Sequence, residues 1–291
     1  MNEIKKVGVA GAGTMGSGIA IVAARAGFET YNFDLSEQTL SRAKQQTEGF
    51  FDKSVKKGKL SEQQVSETLG RMHRTSKLED LAECDLIIEA VFEDLGVKHD
   101  LFGKLDKLCP DHTIFASNTS TLSITDIASG AGRQDRVVGM HFCLPAQLMK
   151  LVEMSPGLNT SRETFDLAWR FTEAMGQTPV ETQDTPGFIL NYFLVPFNND
   201  AIRLVEAGVA EPADLDRAIK SGLGYPMGPC ELLDLVGLDT QIRLCESFYA
   251  ATNDPRAACP PLLQRMVAAG RLGRKSGRGF YDYERDAMFG G

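Results

Sequence analysis

His141 and Glu153 lie twelve residues apart in the stretch GMHFCLPAQLMKLVEM at 139–154. Phe142, Cys143, Leu144, Leu148, Met149, Leu151 and Val152 run between them, and Lys150 is the only other charge there. Ionisable side chains avoid apolar surroundings unless they are paired or employed. An imidazole titrates near neutrality, which suits it to take a proton from a hydroxyl and to give it back. A lone His at a strand end is more often a satisfied structural residue, so the elements around the pair must decide.

A second candidate for chemistry is the glycine run GAGTMG at 11–16, directly after a strand-like segment and directly before the helical run AIVAARAG. In that context the pattern reads as a dinucleotide-binding turn. Gly11 permits the tight turn, Gly13 lets backbone approach a pyrophosphate, and Gly16 allows close packing of helix on strand. Thr14 and Met15 belong to the same turn, and the helix start offers N–H groups and a positive dipole end to the anion. The next strand-like segment, ETYNFD, ends at Asp34, eighteen residues after Gly16. A carboxylate there accepts hydrogen bonds from both adenosine ribose hydroxyls and repels a 2′-phosphate. Leu35 and Ser36 follow, with no Arg to rescue such a phosphate, so the reading favours NAD over NADP. A ligand-free structural turn and an FAD site are the weaker alternatives.

The elements that must carry these residues are legible in outline. IKKVGVAG, ETYNFD, DLIIEAV, TIFAS, RVVGMHF, LVEM and TPVET read as strands, with helix-compatible stretches between several of them. That alternation predicts a parallel sheet covered by helices on both faces. His141 then ends a parallel strand, and carboxyl ends of such strands border the ligand crevice. From about 36 to 69 the pattern is polar and helical with a break near Gly58, which suggests a helical hairpin projecting from the sheet. It carries Lys53, Lys56, Lys57 and Lys59. Two readings stand for these lysines: a solvated charged surface, or a landing site for a phosphate-bearing ligand. DTPGF at 184–188 looks like a joint. After it the strand signals vanish, and 188–207, 212–221, 228–250 and 260–270 read as helices. The expected domains are therefore 1–184 and an all-helical 185–291.

Composition bounds the function. The chain has 291 residues, 43% hydrophobic and 24% charged, with a net charge of −8, an ordinary globular balance. The acidic balance argues against nucleic-acid partners. No signal-peptide core or membrane-length apolar run is read. Six scattered cysteines without a CxxC pair point to reduced thiols in a cytoplasmic setting, with no zinc site.

Several long motifs in order resemble those of the L-3-hydroxyacyl-CoA dehydrogenase family, most closely its short-chain bacterial 3-hydroxybutyryl-CoA branch. They are VGVAGAGTMGSGIA, DLIIEAVFED, ASNTSTLSIT, the 139–154 stretch, DTPGFILN, GYPMGPCELLDLVGLD and LGRKSGRGFYDY, and they run nearly end to end. The resemblance implies an α/β Rossmann-like NAD-binding domain followed by an all-α domain of the 6-phosphogluconate-dehydrogenase-like type that forms a homodimer. It implies oxidation of an L-3-hydroxyacyl-CoA by NAD, with His141 as general base and Glu153 as the carboxylate that orients it. Ser120 matches the family Ser that bonds the reacting oxygen, and Asn191 matches the Asn near substrate and His. Helix capping and turn chemistry are the plainer alternatives for both. Glu93 and Lys98 match positions approaching the nicotinamide ribose, and without the resemblance they would look like a surface pair near a helix start. Asn118 matches a position near the nicotinamide end. Lys53, Lys56 and Lys57 would resemble the family's grip on the CoA phosphates.

One departure stands out. The family follows its His with Phe-Asn-Pro-Pro or Phe-Asn-Pro-Ala, whereas here Phe142 is followed by Cys143, Leu144, Pro145 and Ala146. Leu144 replaces a hydrogen-bonding side chain by an apolar one, which opens the question of the acyl group. Two rivals follow: a dehydrogenase of a free 3-hydroxy acid of the L-carnitine or L-gulonate type, and a non-catalytic NAD-binding sensor or dimer module.

Overall fold

The structure, a computed structural model, describes residues 4–283. Contacts divide the chain into two compact units, Met1–Thr185 and Pro186–Gly291. The first unit runs β1 (Lys6–Ala10), α1 (Thr14–Arg25), β2 (Glu29–Phe33), α2 (Glu37–Lys56), α3 (Glu62–Gly70), β3 (Met72–Thr75), β4 (Leu86–Glu89) and α4 (Leu95–Leu108). It continues with β5 (Ile114–Ser117), α5 (Ile124–Ala128), β6 (Val137–Phe142), β7 (Leu151–Pro156), α6 (Arg162–Ala174) and β8 (Thr178–Glu181).

The eight strands form one sheet in the order β3-β2-β1-β4-β5-β6-β7-β8. The first six strands are parallel. Strands β4, β5 and β6 are buried along their whole length, as Val- and Ile-rich strands covered on both faces must be. The order reverses between β1 and β4, and ligand crevices form at such switch points.

Two details depart from the sequence reading. MHRT at 72–75 forms β3 at the sheet edge, and its polar composition hid it. Strand β7 runs antiparallel to β6, so the sheet is mixed rather than wholly parallel. The reason is chain length: residues 143–150 leave eight residues between the two strands, too few for the crossover that returns a strand parallel.

The expected hairpin is present as α2 and α3, started by Ser36 accepting from Thr39 N and by a Ser61–Gln64 capping box. Its inner face does not stand clear of the domain. Phe51 joins the main core, with Phe50, Leu60 and Val65 packed against it.

The second unit holds α7 (Leu190–Glu206), α8 (Pro212–Leu223), α9 (Pro229–Val236), α10 (Leu238–Thr252) and α11 (Pro261–Ala268). Val195, Ile202, Leu233, Leu238, Cys245, Phe248 and Leu263 form its core. The sequence reading took 228–250 as one helix. Gly237, at φ 106°, ends α9 and starts α10 at an angle no ordinary residue adopts. Two buried carboxylates explain the late motifs. Asp216 accepts from Cys230 N, Glu231 N and the Tyr281 hydroxyl. Asp234 accepts from Phe280 N, Tyr281 N and the Tyr283 hydroxyl, and burial pushes its carboxyl up. Among the described residues no helix is long and apolar enough to cross a membrane.

Candidate active site

The glycine turn leaves β1 at the switch point. Gly11 has φ +106°, and a Cβ there would sit 2.4 Å from Ala90 O. A Cβ on Gly16 would sit 1.9 Å from Gly11 O, so that glycine is required by the close approach of α1 to the turn. Around Gly13 a Cβ would meet nothing within 4 Å, which leaves that face of the turn free for a ligand. Helix α1 starts at Gly13 with no side-chain cap and no acidic residue in its first turn, the state in which a helix start receives a phosphate. Thr14 is exposed and Met15 half-buried beside it.

Asp34 closes the other side. Its Oδ2 accepts from Ala12 N and its Oδ1 from Ser36 N, both at 2.9 Å. The carboxylate is thus fixed to the glycine turn, and each oxygen keeps a lone pair for a further donor. A cavity of about 510 Å³ adjoins Gly11, Gly13 and Asp34, walled by Leu35, Leu78, Val91, Phe92, Val97 and Leu101. Leu35 and Phe92, each 84% exposed, offer apolar surface along this cavity that a flat ligand would cover. Turn, carboxylate and apolar wall together fit an adenosine diphosphate moiety.

Beyond β4 in the sheet, the turn after β5, the end of β6 and the start of β7 carry the second set. His141 and Glu153 are direct cross-strand neighbours in the β6–β7 ladder. Both are buried, at 6% and 1% exposure, and His141 Nδ1 lies 2.7 Å from Glu153 Oε2. A carboxylate only accepts, so Nδ1 carries the proton and Nε2 presents its lone pair. Ser120 Oγ lies 3.0 Å from Nε2 and donates to it in that tautomer. The antiparallel turn-back that the sequence did not reveal is what places these two residues on one face.

Asn118 Oδ1 accepts from Phe142 N at 2.9 Å, tying the turn after β5 to the end of β6. Leu144 is half-buried, and neighbouring Cys143 is buried, its thiol pushed up to about 11 by burial and then by the Glu153 charge.

Lys98 is not a surface residue. It is 1% exposed, with its Nζ 2.6 Å from Glu89 Oε1 and 3.1 Å from Glu93 Oε2. Glu93 Oε1 accepts from Thr119 Oγ1, Ser120 N, Thr121 N and Thr121 Oγ1. Sequence reasoning passed over Glu89 and Ser117, which share a 2.6 Å hydrogen bond. The signal was available: a carboxylate inside LIIEAV, an otherwise unbroken apolar strand, needs a partner.

Asn191 belongs to the second unit, at the start of α7, where its N–H donates to Gly187 O. Lys53, Lys56 and Lys57 are exposed at the end of α2, and among the described residues no carboxylate lies within ion-pair distance of them. Among the described residues no group of His, Cys, Asp or Glu is placed to hold a metal.

A glycine turn with a carboxylate fixed beside it and an imidazole–carboxylate pair lie on the same sheet, an arrangement that suits a nicotinamide-dependent dehydrogenase. Comparison with known proteins gives the family. Residues 6–185 match the model described as "3-hydroxyacyl-CoA dehydrogenase, NAD binding domain", and 187–283 match "3-hydroxyacyl-CoA dehydrogenase, C-terminal domain". The chain is 44% identical to "Probable 3-hydroxybutyryl-CoA dehydrogenase" of Bacillus subtilis, over 97% of this chain and 98% of that one. Among solved structures it resembles M. tuberculosis FadB2, with TM-score 0.94 and 41% identity over 97% of this chain and 100% of that one. It also resembles (S)-3-hydroxybutyryl-CoA dehydrogenase of Ralstonia eutropha, with TM-score 0.89 and 37% identity over 97% and 99% of the two chains. The chain belongs to the 3-hydroxyacyl-CoA dehydrogenase family of NAD-dependent oxidoreductases.

Proposed function

We propose that this enzyme interconverts a short-chain L-3-hydroxyacyl-CoA, 3-hydroxybutyryl-CoA foremost, and its 3-oxoacyl-CoA. Residues 1–184 bind NAD and 185–291 serve dimerisation and substrate binding. Bound NAD supplies the acceptor for the hydride that leaves the carbinol carbon. The chain's own residues handle the proton. Nε2 of His141 takes it from the substrate hydroxyl, Glu153 steadies the resulting imidazolium, and Ser120 holds the reacting oxygen; Asn191 takes the substrate role that the family resemblance gives it. In the reverse direction the imidazolium returns the proton. The observation that carries this reading is the chain Glu153–His141–Ser120, at 2.7 and 3.0 Å, with Glu153 and His141 buried. Those distances leave Nε2 as the acceptor on the ring.

Gly11, Gly13, Thr14, Met15 and Gly16 hold the pyrophosphate, Asp34 the adenosine ribose, and Glu93, Lys98 and Asn118 shape the nicotinamide end. At least one of Lys53, Lys56 and Lys57 meets the CoA phosphates, which would explain exposed cations with no ion-pair partner among the described residues. The enzyme works as a homodimer in a reducing cytoplasm, in keeping with its six free cysteines.

The second reading, a free 3-hydroxy acid as substrate, is favoured only by Leu144. A substrate panel separates the two: acetoacetyl-CoA with NADH or NADPH, against L-carnitine and L-gulonate with NAD. Turnover of the CoA ester with NADH is expected. Turnover of a free acid alone would reverse the assignment. The triple variant K53E/K56E/K57E should raise KM for acetoacetyl-CoA about tenfold or more with kcat nearly kept, since remote charge contacts act on binding.

A further inference from the structure

Glu89 ends β4 with its side chain fully buried, two strands from the His141 strand β6. It is nevertheless the node from which the Ser120 turn is held. One oxygen, Oε1, accepts from Lys98 Nζ at 2.6 Å and from Val91 N at 2.8 Å. The other, Oε2, accepts from Ser117 Oγ at 2.6 Å. Two arms run outward. Lys98 bridges from Glu89 to Glu93 Oε2, and the far oxygen of Glu93 gathers Thr119 Oγ1, Ser120 N and both donors of Thr121. Ser117 Oγ, besides donating to Glu89, accepts from Thr119 N at 3.2 Å. Both arms converge on residues 119–121, in the middle of which sits the serine 3.0 Å from His141 Nε2. A third contact, Val91 N, pins the corner whose Ala90 O lies against Gly11.

We propose that Glu89 is a positioning residue for the reaction. Through Lys98–Glu93 on one side and Ser117 on the other, it fixes the turn that presents Ser120 to His141. This deepens the reading of Ser120 as the residue that holds the reacting oxygen, and rests on it. The physical reason is specific. A buried carboxylate costs stability unless its oxygens are satisfied. Here the satisfying donors are the backbone corner, a buried ammonium and a serine that each continue into the site. An apolar residue would fill the same space in β4 without holding either arm. Burial also pushes the Glu89 carboxyl up against the pull of Lys98.

The test is a double-mutant cycle on the full-length enzyme, with acetoacetyl-CoA and NADH. E89Q keeps the shape and should lower kcat tenfold or more, with KM for NADH changed less than threefold. In the S120A background the same substitution should lower kcat less than threefold further, because the group it positions is gone. S117A cuts one arm alone and should show a smaller loss with the same coupling to S120A, which covers the case in which E89Q does not fold. If the E89Q and S117A effects multiply with that of S120A, or if a folded E89Q keeps its kcat, Glu89 is only a structural residue. If S120A itself leaves kcat unchanged, the reading of Ser120 fails, and the proposal about Glu89 with it.

Discussion

At the scale of single residues, the site shows that an apolar run can hide a paired imidazole and carboxylate. His141 and Glu153 were legible as candidates because an imidazole and a carboxylate stood among Phe, Leu, Met and Val. Their pairing was expected from the family resemblance. In the residues alone it follows only once the eight residues between the two strands are seen to be too few for a parallel crossover. Glu93 shows the converse. In sequence it reads as an exposed acid, yet it collects Lys98 and four donors from the Ser120 turn. Burial raises its carboxyl, but the Lys98 charge and hydrogen bonds from Thr119 and Ser120 outweigh that and hold it below the ordinary value of 4.5. A carboxyl lowered on folding stabilises fully above its unfolded value. It loses that contribution as pH falls through the lower folded one. E93Q should therefore flatten the fall in stability between pH 5 and the acid limb, as read by urea midpoints across about pH 3 to 7. An unaltered curve would mean that Glu93 is not a net contributor.

At the scale of elements, what patterning predicts and what topology adds can be separated. Seven of the eight strands were visible as short strand-like runs, most plainly β4, β5 and β6, which are buried along their whole length and apolar nearly throughout. Strand β3 was not visible, because an edge strand of Met, His, Arg and Thr carries no such signal. The split of 228–250 turned on a single glycine at positive φ, which a helical period reads through. The α1 start is the most sequence-determined element of all, since Gly16 faces Gly11 O with no room for a methyl group. G16A should cost about 1–3 kcal/mol by overpacking and weaken NADH binding at least tenfold by moving the turn. Urea unfolding and fluorescence titration read the two effects. Full NADH affinity in the variant would show that α1 can retreat without disturbing the cradle.

At the scale of the whole molecule, the second unit carries an apolar surface that its own core does not use. Tyr192, Phe193, Val209 and Leu223 are 58% to 68% exposed, more than a soluble monomer ordinarily displays in one helical unit. If these residues meet a second copy, F193D should convert the enzyme from dimer to monomer in sedimentation velocity. A wild-type protein that already sediments as a monomer would remove the dimer from the account. The chain divides between Thr185 and Pro186, inside DTPGF. The reason is local: Asp184 accepts from Ser123 Oγ, Ile124 N, Thr125 N and Thr125 Oγ1, fastening the end of the first unit to the start of α5.

The central claim is that His141, oriented by Glu153, moves the substrate proton in an NAD-dependent reaction of a 3-hydroxyacyl-CoA. The measurement that tests it most directly is loss of NADH with acetoacetyl-CoA, comparing wild type with H141A at matched folding. Wild type should turn over, and H141A should lose about 100-fold to 10,000-fold in kcat with little change in NADH binding. Wild-type turnover that survives in H141A would contradict the claim and require another group to handle the proton.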